Sequence, residues 1–423
     1  MITADIPLLL AAQASFIADS ASVPEIQRFA SRRRIPSQSI PAVTPKAHIN
    51  DSETRGGVKK ESSEARRLEK LRRKIREEGL DGVMMVPGPN LRYYTGVSSL
   101  LLERPFLLFV PRDGDPNMVS PSLEAGPYRD CPLEIRIHEW TDNEGPGGSF
   151  EKLVREIQVS GSWGVEGRVP YLFLHHLMRY ASPKFENGEP ILQGLRELKD
   201  QAELALIRKS ASILSQSFLE IPHMLREGMT ERGLGRKISD EIYSNGGEGV
   251  EDLLVQSGPN SANPHWLPSS RKIRRGESIV IDVSSTYSGY YADITRTFML
   301  GTNSHFEDLY GKVLQAEESA IRTSRSGTTV GAVDEAARES LRRQKLDKYF
   351  IHRTGHGLGL EVHEAPYIVA GGRERLLPSM VFTVEPGIYL PGKQGVRIED
   401  NVVTTSRGNE VTTDLPKEYG WWR

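Results

Sequence analysis

The sequence predicts a polar extension followed by two folded domains, an α/β domain and then a larger one of long helices and antiparallel strands. Three observations lead there. Strand and helix patterns alternate over about 130 residues after Glu64, as in an α/β unit. Beyond Gly194 an apolar stripe at helical spacing runs from Gln201 to Leu225, and a hairpin pattern follows it. Pro36 to Ser63 is rich in Pro, Ser and charge and poor in apolar residues. The expected segments are a disordered extension over 1–60, an α/β domain over 61–194 and a second domain over 195–423.

At 423 residues the chain is long enough for two domains and a sizeable core. Lys plus Arg total 54 against 56 for Asp plus Glu, a net charge of -2, so neither nucleic acid nor an anionic membrane is expected as partner. The single cysteine, Cys131, excludes an intramolecular disulfide and a thiolate metal cluster, and it fits a reducing, cytoplasmic setting. No apolar run approaches the roughly 20 residues that span a bilayer, so a soluble chain is expected. Leu8–Ala12 is apolar, but Asp5 precedes it where a secretory signal carries positive charge. Arg28–Arg34 shares its Arg- and Ser-rich composition with transit peptides, against which Asp19 and Glu25 weigh; organellar targeting by the extension stays open.

The elements follow in order. Leu68, Leu71 and Ile75 mark a helix over Ala65–Glu78, ended by Gly79. Its Arg and Lys residues read as a solvated face. Gly82–Val86 is a strand and Pro87–Asn90 a turn; Leu107–Val110 and Ile135–Ile137 are further strands, and Leu172–Tyr180 is a helix. No phosphate-binding glycine motif lies among them. Leu204, Ile207, Ala211, Leu214, Phe218 and Ile221 form the stripe of a long helix. Thr230 is the expected N-cap of a second helix reaching Tyr243. Asp252–Gln256 is a strand, and helices are expected over about Phe306–Arg325 and Val330–Lys345.

The chemistry-bearing stretch is Ile281–Met299, with Asp282 and Asp293 on the two arms of the hairpin. The Ser-Thr-Tyr-Ser-Gly run between them reads as the turn, which would return both carboxylates to one end of a sheet. Three later segments add His356 among glycines, His363 seven residues on, Glu385 at the end of an apolar strand, and Glu399 beside Arg397 on an alternating strand. Taken singly, each has a mundane reading as a cap, a loop residue or an ion pair. Together, two Asp, one His and two Glu make a hard or borderline ligand set suited to two divalent ions.

These residues resemble the pita-bread metallopeptidases, which include methionine aminopeptidase, aminopeptidase P and prolidase. The likeness is carried by Asp282, Asp293, His356, Glu385 and Glu399 in that order, and by DITRTF (293–298), HRTGHGLGLEVHEAPYI (352–368) and VEPGIY (384–389). It covers residues 195–423 strongly, while 64–194 resembles the creatinase-like N-terminal domain of the proline-specific branch. The resemblance implies a creatinase-like α/β domain followed by an α+β pita-bread catalytic domain. It implies that Asp282 chelates one metal, that Asp293 and Glu399 bridge two, and that His356 and Glu385 complete the coordination of the second metal. Manganese is favoured, with cobalt, zinc or iron as alternatives. Glu385 would shuttle a proton, His363 would steady the tetrahedral intermediate, His265 would face the substrate, and Arg397 would hold a bridging carboxylate in place.

The activity implied is hydrolysis of the Xaa-Pro bond in dipeptides or short peptides with proline second, by a homodimer. Ser284 stands where relatives often carry glycine, the one place where the fit loosens. The same scaffold hosts a dimethylsulfoniopropionate lyase and hydrolases of ectoine-type amides, which form the alternative reading. A metal-free creatinase or a binding protein would be expected to lack some of the five ligands.

Overall fold

The structure, a computed structural model, describes residues 62–423. The expectations for the extension, including targeting, lie outside those residues. Among them, no helix is long and apolar enough to cross a membrane.

The first part is a six-stranded mixed sheet. Its strands are β1 (Gly82–Met85), β2 (Leu107–Pro111), β3 (Asn117–Pro121), β4 (Arg136–Trp140), β5 (Ser162–Val165) and β6 (Lys184–Asn187). They lie in the order β4-β3-β2-β1-β5-β6, with β1/β5, β5/β6 and β3/β4 parallel. Alternate side chains enter different cores: Val83, Met85, Leu108 and Val110 pack on one face, Met84, Val86, Leu107 and Phe109 on the other. With both faces covered, the central strands can be continuous apolar runs, the pattern their sequence shows. The expected Pro87–Asn90 turn is shorter than anticipated. Pro89 starts a helix that runs to Thr95, because proline at the first helical position costs no hydrogen bond.

The second part begins with the helix Gln201–Met224. Asp200 caps it, accepting from Glu203 N at 2.9 Å while Glu203 Oε2 accepts from Asp200 N at 2.8 Å. Thr230 caps the helix Glu231–Ser244, accepting from Gly233 N at 3.0 Å. An antiparallel sheet follows: β7 (Gly249–Ser257), β8 (Ser278–Tyr287) and β9 (Tyr290–Met299). A second sheet holds β10 (Gly355–Gly357), β11 (Glu364–Ile368), β12 (Val381–Val384), β15 (Asp400–Thr405) and β16 (Gly408–Val411); β13 (Gly387–Leu390) and β14 (Gln394–Arg397) form a hairpin. Helices Ser304–Thr323 and Val330–Arg342 share one core with β8, β9 and the long helix, through Phe218, Ile281, Ile294, Phe298, Phe306 and Val333. The aromatic tail closes this core: Trp421 and Trp422 each stand 5.6 Å from the Phe298 ring.

The hairpin corrects one expectation. β8 continues through Ser285 and Thr286 to Tyr287, and the turn is only Ser288-Gly289, both at positive φ (45° and 69°). Asp282 and Asp293 therefore sit in the middle of their strands, not at a sheet end. The register sets Asp282 opposite Thr295 and Ser284 opposite Asp293. Residues two apart share a face, so both carboxylates point the same way.

Candidate metal centre

β8 and β9 bring Asp282 and Asp293 to the floor of a cavity of about 520 Å³, which is also lined by His265, His356, His363, Glu385, Arg397 and Glu399. Every site residue expected from the sequence thus borders one space. Asp293, His356 and Glu399 form its tight centre, with one ligand atom from each lying within 4.8 Å of the others. Glu385 Oε1 stands 3.4 Å from His356 Nε2. Asp282 lies at the side, its carboxylate bonded to Arg397 Nη2.

Local backbone explains each placement. β10 is squeezed between β11 and β12, so a Cβ on Gly355 would lie 1.9 Å from Thr383 O and one on Gly357 2.2 Å from Ala365 O. The glycines flanking His356 answer to that backbone approach more than to access at the imidazole. Glu385 follows the last residue of β12, with its N–H donating to Thr354 O at 2.8 Å. Glu399 lies between β14 and β15, bridged to Thr295 of β9, whose hydroxyl donates to Glu399 Oε2 at 2.6 Å. Asn401 clamps the Asp293 backbone, its Oδ1 accepting from Asp293 N at 3.0 Å and its Nδ2 donating to Asp293 O at 2.7 Å.

The electrostatics describe a crowded anionic site. Burial, then the charges of Asp282 and Glu385, push the Asp293 carboxyl well above its ordinary range. Burial and Asp293 do the same to Glu399, and burial carries Glu385 up to about 8 against the pull of Arg397. Burial, helped by His363, takes His356 down to about 3, leaving a neutral imidazole. Asp293 Oδ1 and Glu399 Oε1 are buried and accept no hydrogen bond from any described residue. Buried carboxylate oxygens without donors are rare unless they bind a cation. Together with the O- and N-donor set, these orphaned oxygens fit divalent metal ions.

Arg397 differs from its expected place. It bonds Asp282, implied to be a terminal ligand, and reaches Glu399, implied to be a bridging one, through Thr295, whose Oγ1 accepts from Arg397 Nε at 3.2 Å. The guanidinium is also held by Tyr389, with Nη1 donating to its hydroxyl at 2.8 Å, and that hydroxyl lies 2.9 Å from His352 Nε2.

Sequence reasoning missed several lining residues. His352 and Arg353 stand inside a quoted motif but were given no role. Arg353 stacks on Tyr367 at 4.5 Å and has no acidic partner among the described residues. Asp252 sits on a β7 bulge at φ 49° and also borders the cavity. The bulge gives no local signal beyond two adjacent acids in a strand. Arg353 could have been found as a charge three residues before His356 within a ligand-bearing segment.

Comparisons with known proteins identify the family. Residues 205–406 match the model of metallopeptidase family M24, and residues 67–198 match that of the creatinase/prolidase N-terminal domain. A Xaa-Pro dipeptidase from Pyrococcus furiosus is 32% identical over 356 residues, covering 83% of this chain and 99% of that protein. The prolidase from Thermococcus sibiricus superposes with a TM-score of 0.80 at 34% identity, covering 84% of this chain and 98% of that one. The dipeptidase PepE from Mycobacterium ulcerans superposes with a TM-score of 0.78 at 34% identity, over 86% and 98% of the two chains.

Proposed function

The chain belongs to metallopeptidase family M24, with a creatinase-type N-terminal domain and a pita-bread catalytic domain, and on that premise we propose that it is a Xaa-Pro dipeptidase. The observation that carries the reading is the convergence of Asp282, Asp293, His356, Glu385 and Glu399 on one cavity, with buried carboxylate oxygens lacking donors. These five would hold two divalent cations, manganese first among the candidates. When bound, such ions supply Lewis acidity and lower the pKa of a water.

The chain's own groups account for the rest. Glu385, buried beside His356, moves a proton from the attacking water to the proline nitrogen, which must be protonated to leave. His363 donates an imidazole N–H to the carbonyl oxygen as negative charge develops on it. His265, on the exposed loop after β7, contacts the proline side of the substrate. Arg353, a guanidinium without an acidic partner among the described residues, pairs with the free carboxylate of the substrate, and this favours dipeptides over longer peptides.

The test is release of free proline from Xaa-Pro dipeptides by chelator-treated protein before and after manganese is restored. Turnover should appear with metal and be abolished in Asp293→Asn. No release across a panel of dipeptides and metals, with metal shown to be bound, contradicts the reading.

A further inference from the structure

We propose that Arg196 is a positioning residue for His363, and that the N-terminal domain reaches the catalytic site through it. His363 lies in the turn between β10 and β11, exposed to the cavity. Its ring makes no hydrogen bond with any described residue; its one recorded ring contact is with His356, centroids 4.0 Å apart. The ring's position is therefore inherited from the backbone around it, and two glutamates, Glu361 and Glu364, fix that backbone.

Both are held from outside the catalytic sheets. Arg196 Nη2 donates to Glu361 Oε2 at 2.7 Å and to Glu364 Oε2, and Lys199 Nζ donates to Glu364 Oε1 at 2.8 Å. Arg168 of the N-terminal domain bonds the other oxygen of Glu361. Arg196 Nη1 donates to Asn90 Oδ1 at 2.8 Å, and Asn90 Nδ2 donates to Glu166 Oε1 at 2.7 Å. Glu166 Oε2 in turn accepts from Val86 N, just past β1, at 2.9 Å. The chain of bonds runs unbroken from the central strand of the first sheet to the residue after His363.

Asn90, Glu166, Arg196, Lys199 and Glu364 are all buried, at 1–3% exposure. Buried ion networks of this kind add little stability over well-packed apolar residues, and their attested use is to fix one geometry. Here the geometry fixed is that of the segment bearing an otherwise untethered catalytic imidazole.

The inference rests on the reading that His363 serves the reaction, and a double-mutant cycle separates the two. Arg196→Gln, His363→Ala and the double variant are compared in the full, metal-loaded chain on a Xaa-Pro dipeptide. Arg196→Gln should lower kcat about ten- to a hundredfold, the range for an outer hydrogen-bond partner, with metal content unchanged. In the His363→Ala background the same substitution should cost less than about twofold, since its effect passes through a ring already removed. Amide exchange over 358–364 should quicken in Arg196→Gln. Should that variant fail to fold, Arg196→Lys, which keeps a charge for Glu364 but not the fork to Asn90, enters the same cycle. Losses that multiply, or unchanged exchange, overturn the positioning role alone. His363→Ala at the wild-type rate overturns the role of His363 and the positioning role together.

Discussion

Arg353 and Glu166 carry the sharpest consequences of single side chains. Arg353→Met removes a charged partner for the substrate carboxylate, so KM for a Xaa-Pro dipeptide should rise about tenfold or more while metal binding is untouched, as steady-state kinetics and metal analysis would show. Glu166 is buried, and desolvation raises its pKa from 4.5 to about 7. The native state then holds one more proton than the unfolded state between those values. The contribution is complete below pH 4.5 and is lost as pH rises to about 7, amounting to roughly 3 kcal/mol across the window. Denaturant titrations from pH 4.5 to 7.5 should show that slope in the wild type and a shallower one in Glu166→Gln. At this scale the sequence was most legible where identity alone marks chemistry. Asp282, Asp293, His356, Glu385 and Glu399 all border the cavity. Arg397's partner was not legible, because which carboxylate it meets depends on β14 crossing β8, a contact across more than a hundred residues.

Among elements, the loop after β7 shows how a helix start supports a substrate-binding segment. Glu231, the first residue of its helix, is fully buried. Its carboxylate accepts from Ser257 N at 2.7 Å, from Asn260 Nδ2 at 3.0 Å, and from Ser269 Oγ at 2.6 Å. Those donors bracket His265. Glu231→Ala would leave the buried Ser257 N–H and the partly buried Asn260 and Ser269 donors without this partner, so unfolding free energy should fall by about 2 kcal/mol and KM should rise, as thermal melts and kinetics would show. Helices were the most legible elements: the 201–224 helix starts where its apolar stripe was expected to begin, and the 231–244 helix starts at the expected Thr230 cap. The hairpin was read with too long a turn, because Ser, Thr and Tyr suit strand and turn alike. Only the positive φ at Ser288 and Gly289 separates the two readings, and that is a backbone property.

For the whole molecule, cation binding should be coupled to folding. Crowded carboxylates whose pKa values are raised by burial disfavour the native state until a cation shares their charge. Manganese at about a hundred times its Kd should add about 2.7 kcal/mol of stability to chelated protein. Calorimetry should show that gain in the wild type and its loss in Asp293→Ala. The central claim is a metallopeptidase site that takes a dipeptide by its free carboxylate. It is tested most directly by comparing kcat/KM for a Xaa-Pro dipeptide with that for the same dipeptide amidated at its C-terminus, on manganese-loaded enzyme. The account predicts a preference of about tenfold or more for the free acid, largely abolished in Arg353→Met. Equal turnover of acid and amide by the wild-type enzyme, or turnover of neither with metal bound, would contradict it.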